Sequence, residues 1–279
     1  MKKSIVLWLI AFILTVLTAV YQRITGPTYP VSGEAVVNAE VVDYKLDRSH
    51  GGVDDHPIEI NVDDETICGE LIWKRYKTND EWTSFEMIRK DKKLVAFLPH
   101  QPPAGKLVYH VVLQKGNEVV TLPADGEVII RVKGDVPIFF LIPHIIFIFG
   151  ARLLSTRTGI EYFNEGKNFK PLTILTFIFV IMGGFIFGPI VQKYAFGAFW
   201  TGFPFGHDLT DNKILIGFIG WLFALIALYK FKNPKRWIVF AAILMFIIFL
   251  IPHSLLGSEL DYNEIDRKSN LEIQSDTAK

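Results

Sequence analysis

Three histidines and two aspartates have side chains suited to binding a metal or a cofactor. His144 lies in an apolar run, His207, Asp208 and Asp211 lie in one polar segment, and His253 follows the last apolar run. Imidazole and carboxylate groups suit a divalent transition metal such as zinc. A pair such as His144 and His253 would suit axial ligation of b-type haem. The spacing matches no diagnostic motif such as H-E-x-x-H or C-x-x-C-H, so zinc and haem both stand as hypotheses.

The same residues also have structural interpretations, which the sequence leaves open. His144 lies about 10 Å inside a membrane segment, where an ionisable residue is by default a functional-site hypothesis. A neutral imidazole bonded to a neighbouring helix is the simpler interpretation. Asp208 and Asp211 come just before a helical run that starts at Ile214. Asp211 or Thr210 is a suitable N-cap, and acidic residues favour a helix N-terminus.

Composition excludes several classes of protein. The chain has 279 residues with 29 basic and 29 acidic side chains, so no basic excess indicates nucleic-acid binding. The single cysteine, Cys68, excludes an intrachain disulfide and a cysteine-cluster metal site. The sequence has no G-x-S-x-G elbow and no nucleotide-binding loop, and it therefore predicts no catalytic residue.

Apolar residues make up half of the chain and are concentrated in five runs. Each run approaches the ~20 residues that cross a bilayer as a helix, so the sequence predicts about five transmembrane helices. The second and fifth runs are short, and each contains a Pro-His step at which proline would kink a helix. The five runs are Ser4–Tyr21, Pro137–Leu154, Pro171–Val191, Ile214–Phe231 and Trp237–Pro252.

The first run favours a retained N-terminal anchor, residues 1–22, over a cleaved signal peptide. It has 18 residues, whereas the apolar region of a signal peptide usually has about 7–15. Leu17-Thr18-Ala19 is also a poor cleavage site, because the leucine is large.

The distribution of lysine and arginine residues predicts how the helices are oriented across the membrane. If the N-terminus lies inside, ten basic residues fall in the inside segments, Arg152 and Arg157 among them. The short outside loop 192–213 has only Lys193 and Lys213. An excess of basic residues marks the cytoplasmic side, so the sequence predicts a multi-pass protein with its N-terminus inside.

This orientation has two consequences. Residues 22–136 and the polar C-terminal tail 254–279 would lie outside, although the location of the tail depends on whether the fifth run crosses. His144, His207 and His253 would all belong to the outer half of the membrane region.

Residues 31–133 predict a β-rich domain. Ile58–Val62 alternates with period two, the pattern of a half-buried strand, and Gly116 with Asn117 indicates a hairpin turn. Seven or so short strands in about 100 residues are typical of an immunoglobulin-like β-sandwich. The candidate strands are Glu34–Val42, Ile58–Val62, Gly69–Tyr76, Lys93–Leu98, Leu107–Leu113, Val119–Leu122 and Val128–Val132.

Three segments of this region resemble fibronectin type III or immunoglobulin-like accessory domains. They are Trp82–Met87, Leu94–Pro99 and Gly105–Tyr109, which follow one another as an aromatic-methionine strand, an A-x-L-P strand and a strand ending at a tyrosine. The resemblance covers about a third of the chain. It implies a sandwich fold and no activity.

The whole chain is similar to uncharacterised bacterial multi-pass envelope proteins. The resemblance rests on Gly26–Pro30, Arg48–Gly52, Gln101–Lys106 and Phe203–Lys213. It implies a bacterial inner membrane and a periplasmic β-domain, and it transfers no activity.

Together these observations predict a membrane α-helical bundle plus an all-β, immunoglobulin-like sandwich domain. The sandwich, residues 31–133, would stand on a four-helix region, residues 137–253. We expect a non-enzymatic binding, scaffold or accessory subunit whose partners are membrane lipid and other envelope proteins. A metal- or haem-binding protein and a membrane hydrolase or transferase are the alternatives. A transporter is less favoured, because no repeated pair of helices is evident.

Overall fold

The computed structural model describes residues 2–253, 255 and 257–277, and these form two compact units. The helical unit comprises Met1–Pro27 and Val136–Ser258, and the β-unit comprises Thr28–Asp135 and Glu259–Lys279. The predicted anchor includes residue 1, and the predicted C-terminal tail includes residues 254, 256, 278 and 279. These five positions lie outside the described residues.

The helical unit has four helices that are long and apolar enough to cross a membrane. Each has 22 to 28 residues, which at 1.5 Å per residue exceeds the ~30 Å of a bilayer core. The prediction that the chain is built to insert into a membrane is therefore supported. The four spans are Lys2–Ile24 (α1), Ile138–Asn164 (α2, Ile138–Ile160, with a 3₁₀ turn), Phe169–Phe196 (α3, Phe169–Ile181, then a π-helical turn and α4, Gly188–Phe196) and Leu209–Lys230 (α5).

The predicted number of helices is wrong. The fifth apolar run forms α6, Lys235–Ile248, whose 14 residues extend for about 21 Å. That length is shorter than a bilayer core, and the helix ends before Pro252, a residue that cannot donate a backbone hydrogen bond. With α3 and α4 counted as one continuous helix, the described chain has six helices. The sixth is α7, Tyr262–Thr277, a polar helix of the β-unit that the sequence pattern did not predict.

Small residues bring the membrane helices together. The π-helical turn Met182–Phe187 contains Gly183, where an added Cβ would lie 2.9 Å from the backbone nitrogen of Ile148 in α2. At Gly184 an added Cβ would lie 2.5 Å from Ile214 of α5. These glycines therefore permit close packing of the helices.

The β-unit has eleven described strands, more than the seven or so that were predicted. β5, Cys68–Arg75, and β9, Lys106–Lys115, lie at the centre of a six-stranded sheet. The order along it is β3-β11-β9-β5-β6, and β10 also pairs with β9. β4, β8 and β7 form a three-stranded sheet, and β1 and β2 form a hairpin. The other strands are β1 Val31–Val37, β2 Glu40–Leu46, β3 Ser49–Gly51, β4 His56–Asn61, β6 Thr83–Glu86, β7 Ile88–Lys90, β8 Lys93–Leu98, β10 Glu118–Leu122 and β11 Val128–Lys133.

Two turns show how local sequence sets the register. The predicted hairpin at Gly116-Asn117 is confirmed, because Glu118 pairs with Lys115 across a two-residue turn. The predicted single strand Glu34–Val42 is wrong. Asn38 and Ala39 have positive φ angles of 46° and 70°, so the chain reverses there, and Val37 pairs with Glu40. An alanine at such a position is uncommon, and the sequence therefore gave little sign of this turn.

One apolar core joins the three sheets. Fully buried side chains such as Leu46 of β2, Ile60 of β4, Leu71 of β5 and Leu113 of β9 belong to the same cluster. The alternation of buried and exposed residues along β4 and β9 produces this common core.

The helix α7 is held to the β-unit by charged and aromatic contacts. Arg75 of β5 donates hydrogen bonds to both Asp80 and Asp266, and its guanidinium lies 5.1 Å from the centre of the Tyr262 ring. The Tyr262 hydroxyl donates to Gln101 over 2.9 Å. The C-terminal segment therefore adds a packed element to the β-unit.

Candidate functional sites

The structure places His144 at the π-helical turn of the helical unit. His144 is half-buried on α2, and its Nδ1 lies 3.0 Å from the carbonyl oxygen of Gly183. A carbonyl accepts only, so Nδ1 is the protonated nitrogen of the ring. The imidazole therefore bonds to a neighbouring helix, the simpler of the two interpretations that the sequence allowed.

The other predicted ligands occupy different environments. His207 and His253 are exposed, whereas Asp208 and Asp211 are buried. Among the residues that the structure describes, no group of three or more histidine, cysteine, aspartate or glutamate side chains is arranged to hold a metal ion. The predicted zinc or haem site thus gains no geometric support and stays a prediction.

Asp208 is the N-cap of α5, a role that the sequence assigned to Asp211 or Thr210. One carboxylate oxygen of Asp208 accepts from the backbone nitrogens of Thr210 and Asp211 at 2.8 and 3.4 Å. The other accepts from the backbone nitrogen and hydroxyl of Ser258 at 2.8 and 2.9 Å. Burial raises the pKa of this carboxyl, but the hydrogen bonds from Ser258 and α5 outweigh it and hold the pKa below its ordinary value.

Asp211 fixes the loop before α5. Its Oδ2 accepts from the backbone nitrogens of Thr201 and Gly202 at 2.6 and 3.0 Å, and from Nε2 of Gln192 at 2.9 Å. Because three protein donors bond to this oxygen, we assign this buried aspartate a structural role.

Lys213, two residues further along α5, is a buried cation whose hydrogen-bond partners are neutral. Its side chain is only 3% exposed, and Nζ donates to the carbonyl oxygens of Ile251 and Pro252 at 3.0 and 3.2 Å. These carbonyls follow the end of α6, where the partial charge of a helix is negative.

Arg152 is a second buried cation with neutral partners. On α2 it donates to Oε1 of Gln22 at 2.9 Å and to Oγ1 of Thr18 at 2.8 Å, both on α1. Its guanidinium also lies 4.9 Å from the centre of the Phe249 ring. Gln22 in turn donates to the Ile251 carbonyl over 2.9 Å, the acceptor that it shares with Lys213. Among the described residues, neither cation has a carboxylate within ion-pair distance.

A small pocket opens beside Arg152 between α1, α2 and α6. Its polar lining comes from Thr15, Thr18, Arg152, Ser155 and Thr156. Apolar residues of α6 and the segment that follows it complete the wall: Met245, Phe246 and Phe249. The sequence signal for this pocket is an arginine inside an apolar run. The charge count assigns Arg152 to the inside loop and therefore does not predict the pocket.

The β-unit offers a different kind of surface at its edge strand. All four residues of β6 are exposed, and β6 ends the order of its sheet. Trp82 and Phe85 are 39% and 42% exposed. The Trp82 ring lies 5.3 Å from the ring of His110, and Nζ of Lys74 lies 4.8 Å from its centre. This strand edge with its two aromatic residues is named the β6 edge below.

Comparison with protein-family models, curated proteins and solved structures finds no match to this chain.

Proposed function

We propose that this protein is a non-enzymatic integral membrane protein of the bacterial envelope, in which the helical unit anchors an extracytoplasmic binding domain. The four long apolar helices support the anchoring role. The β-unit, with its own core, supports a separately folded module. In this proposal the N-terminus lies inside the cell and the β-unit outside.

The β-unit is proposed to be an immunoglobulin-like sandwich. The three-stranded sheet β4-β8-β7 and the sheet centred on β5 and β9 share one core, as the two layers of such a sandwich do. The chain also passes from one sheet to the other between β6 and β7, at Met87.

The observation that carries the binding role is the β6 edge. An unpaired edge strand presents a row of backbone donors and acceptors to which an extended segment of another protein can pair. Exposed tryptophan and phenylalanine beside it would supply apolar contacts, and such residues are enriched at protein interfaces. The proposed ligand is therefore an extended segment of another envelope protein.

Cross-linking in living cells tests this binding role. A photo-reactive amino acid at Ser84, in the middle of β6, should give adducts with a defined partner. The same residue at Val119, which is 58% exposed on β10, is the positional control and should not. Trp82→Ala combined with Phe85→Ala should abolish the Ser84 adducts. Val36→Ala combined with Val41→Ala, at more exposed positions, should leave them intact. Adducts that survive loss of both aromatic residues would contradict the proposal.

The single cysteine tests the proposed orientation separately. Cys68 is exposed on β5, so a membrane-impermeant maleimide should label it in spheroplasts if the β-unit is extracytoplasmic. In a Cys68→Ser background, Tyr162→Cys places a thiol at an exposed position after α2, and this one should react only after lysis. The opposite pattern would reverse the orientation while leaving the binding role open.

A further inference from the structure

The pocket beside Arg152 is lined by hydrogen-bond donors that protein acceptors do not fully occupy. Arg152 is 6% exposed, and two of its N–H groups bond to Gln22 and Thr18. A guanidinium has five N–H donors, so these two bonds do not occupy all of them, and the side chain lines the pocket. Ser155 is 2% exposed, and its hydroxyl has no hydrogen-bond partner in the structure. A buried polar group left in this state needs an explanation, because such groups are nearly always bonded.

The charge around the pocket is positive. Within the described part of the chain, no carboxylate lies within ion-pair distance of Arg152, whereas Lys213 also feels the charge of Asp208. The two side chains belong to one network, since Gln22 bonds to Arg152 and shares the Ile251 carbonyl with Lys213. An uncompensated cation inside a membrane bundle is costly, and a bound negative charge would offset that cost.

We propose that this pocket is a binding site for a small inorganic anion of the size of chloride. Donors from Arg152 and Ser155, with the hydroxyl of Thr156 on the same wall, would surround the ion. The space admits about one water-sized sphere, so the proposed ligand is a single atomic ion and not a phosphate or sulfate group. The site is independent of the β6 edge and of the binding role proposed for it.

Anion-dependent thermal stability of the purified full-length protein tests this site. The protein in mild detergent is brought to constant ionic strength with sodium gluconate, and sodium chloride or sodium bromide then replaces the gluconate. A ligand that binds only the folded state raises the melting temperature in a saturable manner. We expect a saturable rise with chloride and with bromide, and none with phosphate or sulfate.

Two substitutions distinguish the pocket from general salt effects. Arg152→Gln should remove the saturable rise and keep any non-specific salt response. Ser155→Ala keeps the fold, because its hydroxyl bonds to nothing in the protein, and it should weaken the apparent affinity for chloride by about two- to ten-fold. If Arg152→Gln does not fold, the chloride titration of Ser155→Ala still tests the proposed site. The proposal is overturned if the wild type shows no saturable halide effect, if phosphate or an anionic lipid produces the rise instead, or if Ser155→Ala leaves the affinity unchanged.

Discussion

Two arginines five residues apart on α2 are both buried, yet they are accommodated in different ways. Arg157 pairs with Glu161, with Nη1 and Oε2 2.5 Å apart and both side chains at most 1% exposed. Glu161 accepts further hydrogen bonds from Asn164 and Asn168. Among the described residues, Arg152 contacts only the amide oxygen of Gln22, the hydroxyl of Thr18 and the faces of aromatic rings.

The difference shows which of the two charges is neutralised within the protein and which is left to interact with a ligand. In a buried ion pair the two charges neutralise each other, and removing one partner leaves the other as an unpaired buried charge. A buried cation among neutral oxygens retains a net charge to which a ligand can respond. The Arg157–Glu161 pair is therefore assigned to stability, and the surroundings of Arg152 are assigned to binding.

The largest expected effect is the loss of the ion pair. Glu161→Gln keeps the shape of the side chain but leaves Arg157 as an unpaired buried charge, which should lower the free energy of unfolding by about 3–5 kcal/mol. Denaturation with sodium dodecyl sulfate in mixed micelles measures it. Glu165→Gln, which breaks the exposed contact with Lys167, is the matched control and should show no measurable change. Equal losses in the two variants would refute the structural role of the pair.

A third arginine, Arg75, is half-buried, and its ion pairs should have an effect of intermediate size. The guanidinium of Arg75 lowers the pKa of both Asp80 and Asp266. A carboxyl whose pKa is lowered in the folded state stabilises that state above its ordinary pKa, and this contribution is lost as the pH falls through the lowered value. Since Asp266 lies on α7, acidification below about pH 4 should loosen α7 from the β-unit.

A spin label at Asn270 of α7, in a Cys68→Ser background, reports this release. Its spectrum should become mobile as the pH is lowered from 7 to 2.5, and Arg75→Gln should show the mobile spectrum already at pH 7. A label that stays immobile over the whole range would show that the charged contacts do not hold α7.

The smallest expected effect concerns Ser155. In gluconate buffer without halide, Ser155→Ala should leave the unfolding free energy unchanged within about 0.5 kcal/mol, because it removes no protein hydrogen bond. Thr158→Ala one turn away is the control. Thr158 bonds to the Leu154 carbonyl and to the Thr176 hydroxyl, and its loss should cost about 1 kcal/mol. A large loss in Ser155→Ala would mean that its hydroxyl has a structural partner.

Elements set by local pattern could be predicted from the sequence. The period-two alternation located β4, and the Gly116-Asn117 pair located the hairpin between β9 and β10. Apolar length located the four membrane helices. In each case neighbouring residues alone determine the conformation.

Elements set by distant partners could not be predicted. α2 continues past its apolar run to Ile160, because Arg152 and Arg157 find hydrogen-bond acceptors on α1 and in the 3₁₀ turn that follows α2. Both arginines were therefore assigned to a loop that does not contain them. α7 has a polar sequence, and it packs on the β-unit through Arg75 of β5, which is distant in sequence. The local pattern of α7 therefore does not predict this contact. The sequence also did not show that Asp208 and Asp211 accept hydrogen bonds from backbone nitrogens at the start of α5 and in the loop before it.

The most direct test of the comparison between the two arginines is to replace each with leucine and measure both unfolding free energies in the same detergent. Arg157→Leu strands the buried Glu161 carboxylate and should cost about 3–5 kcal/mol. Arg152→Leu leaves only neutral acceptors on Gln22 and Thr18, so without halide it should cost about 1–3 kcal/mol. A loss at Arg152 equal to or larger than the loss at Arg157 would contradict the assignment of one arginine to stability and the other to binding.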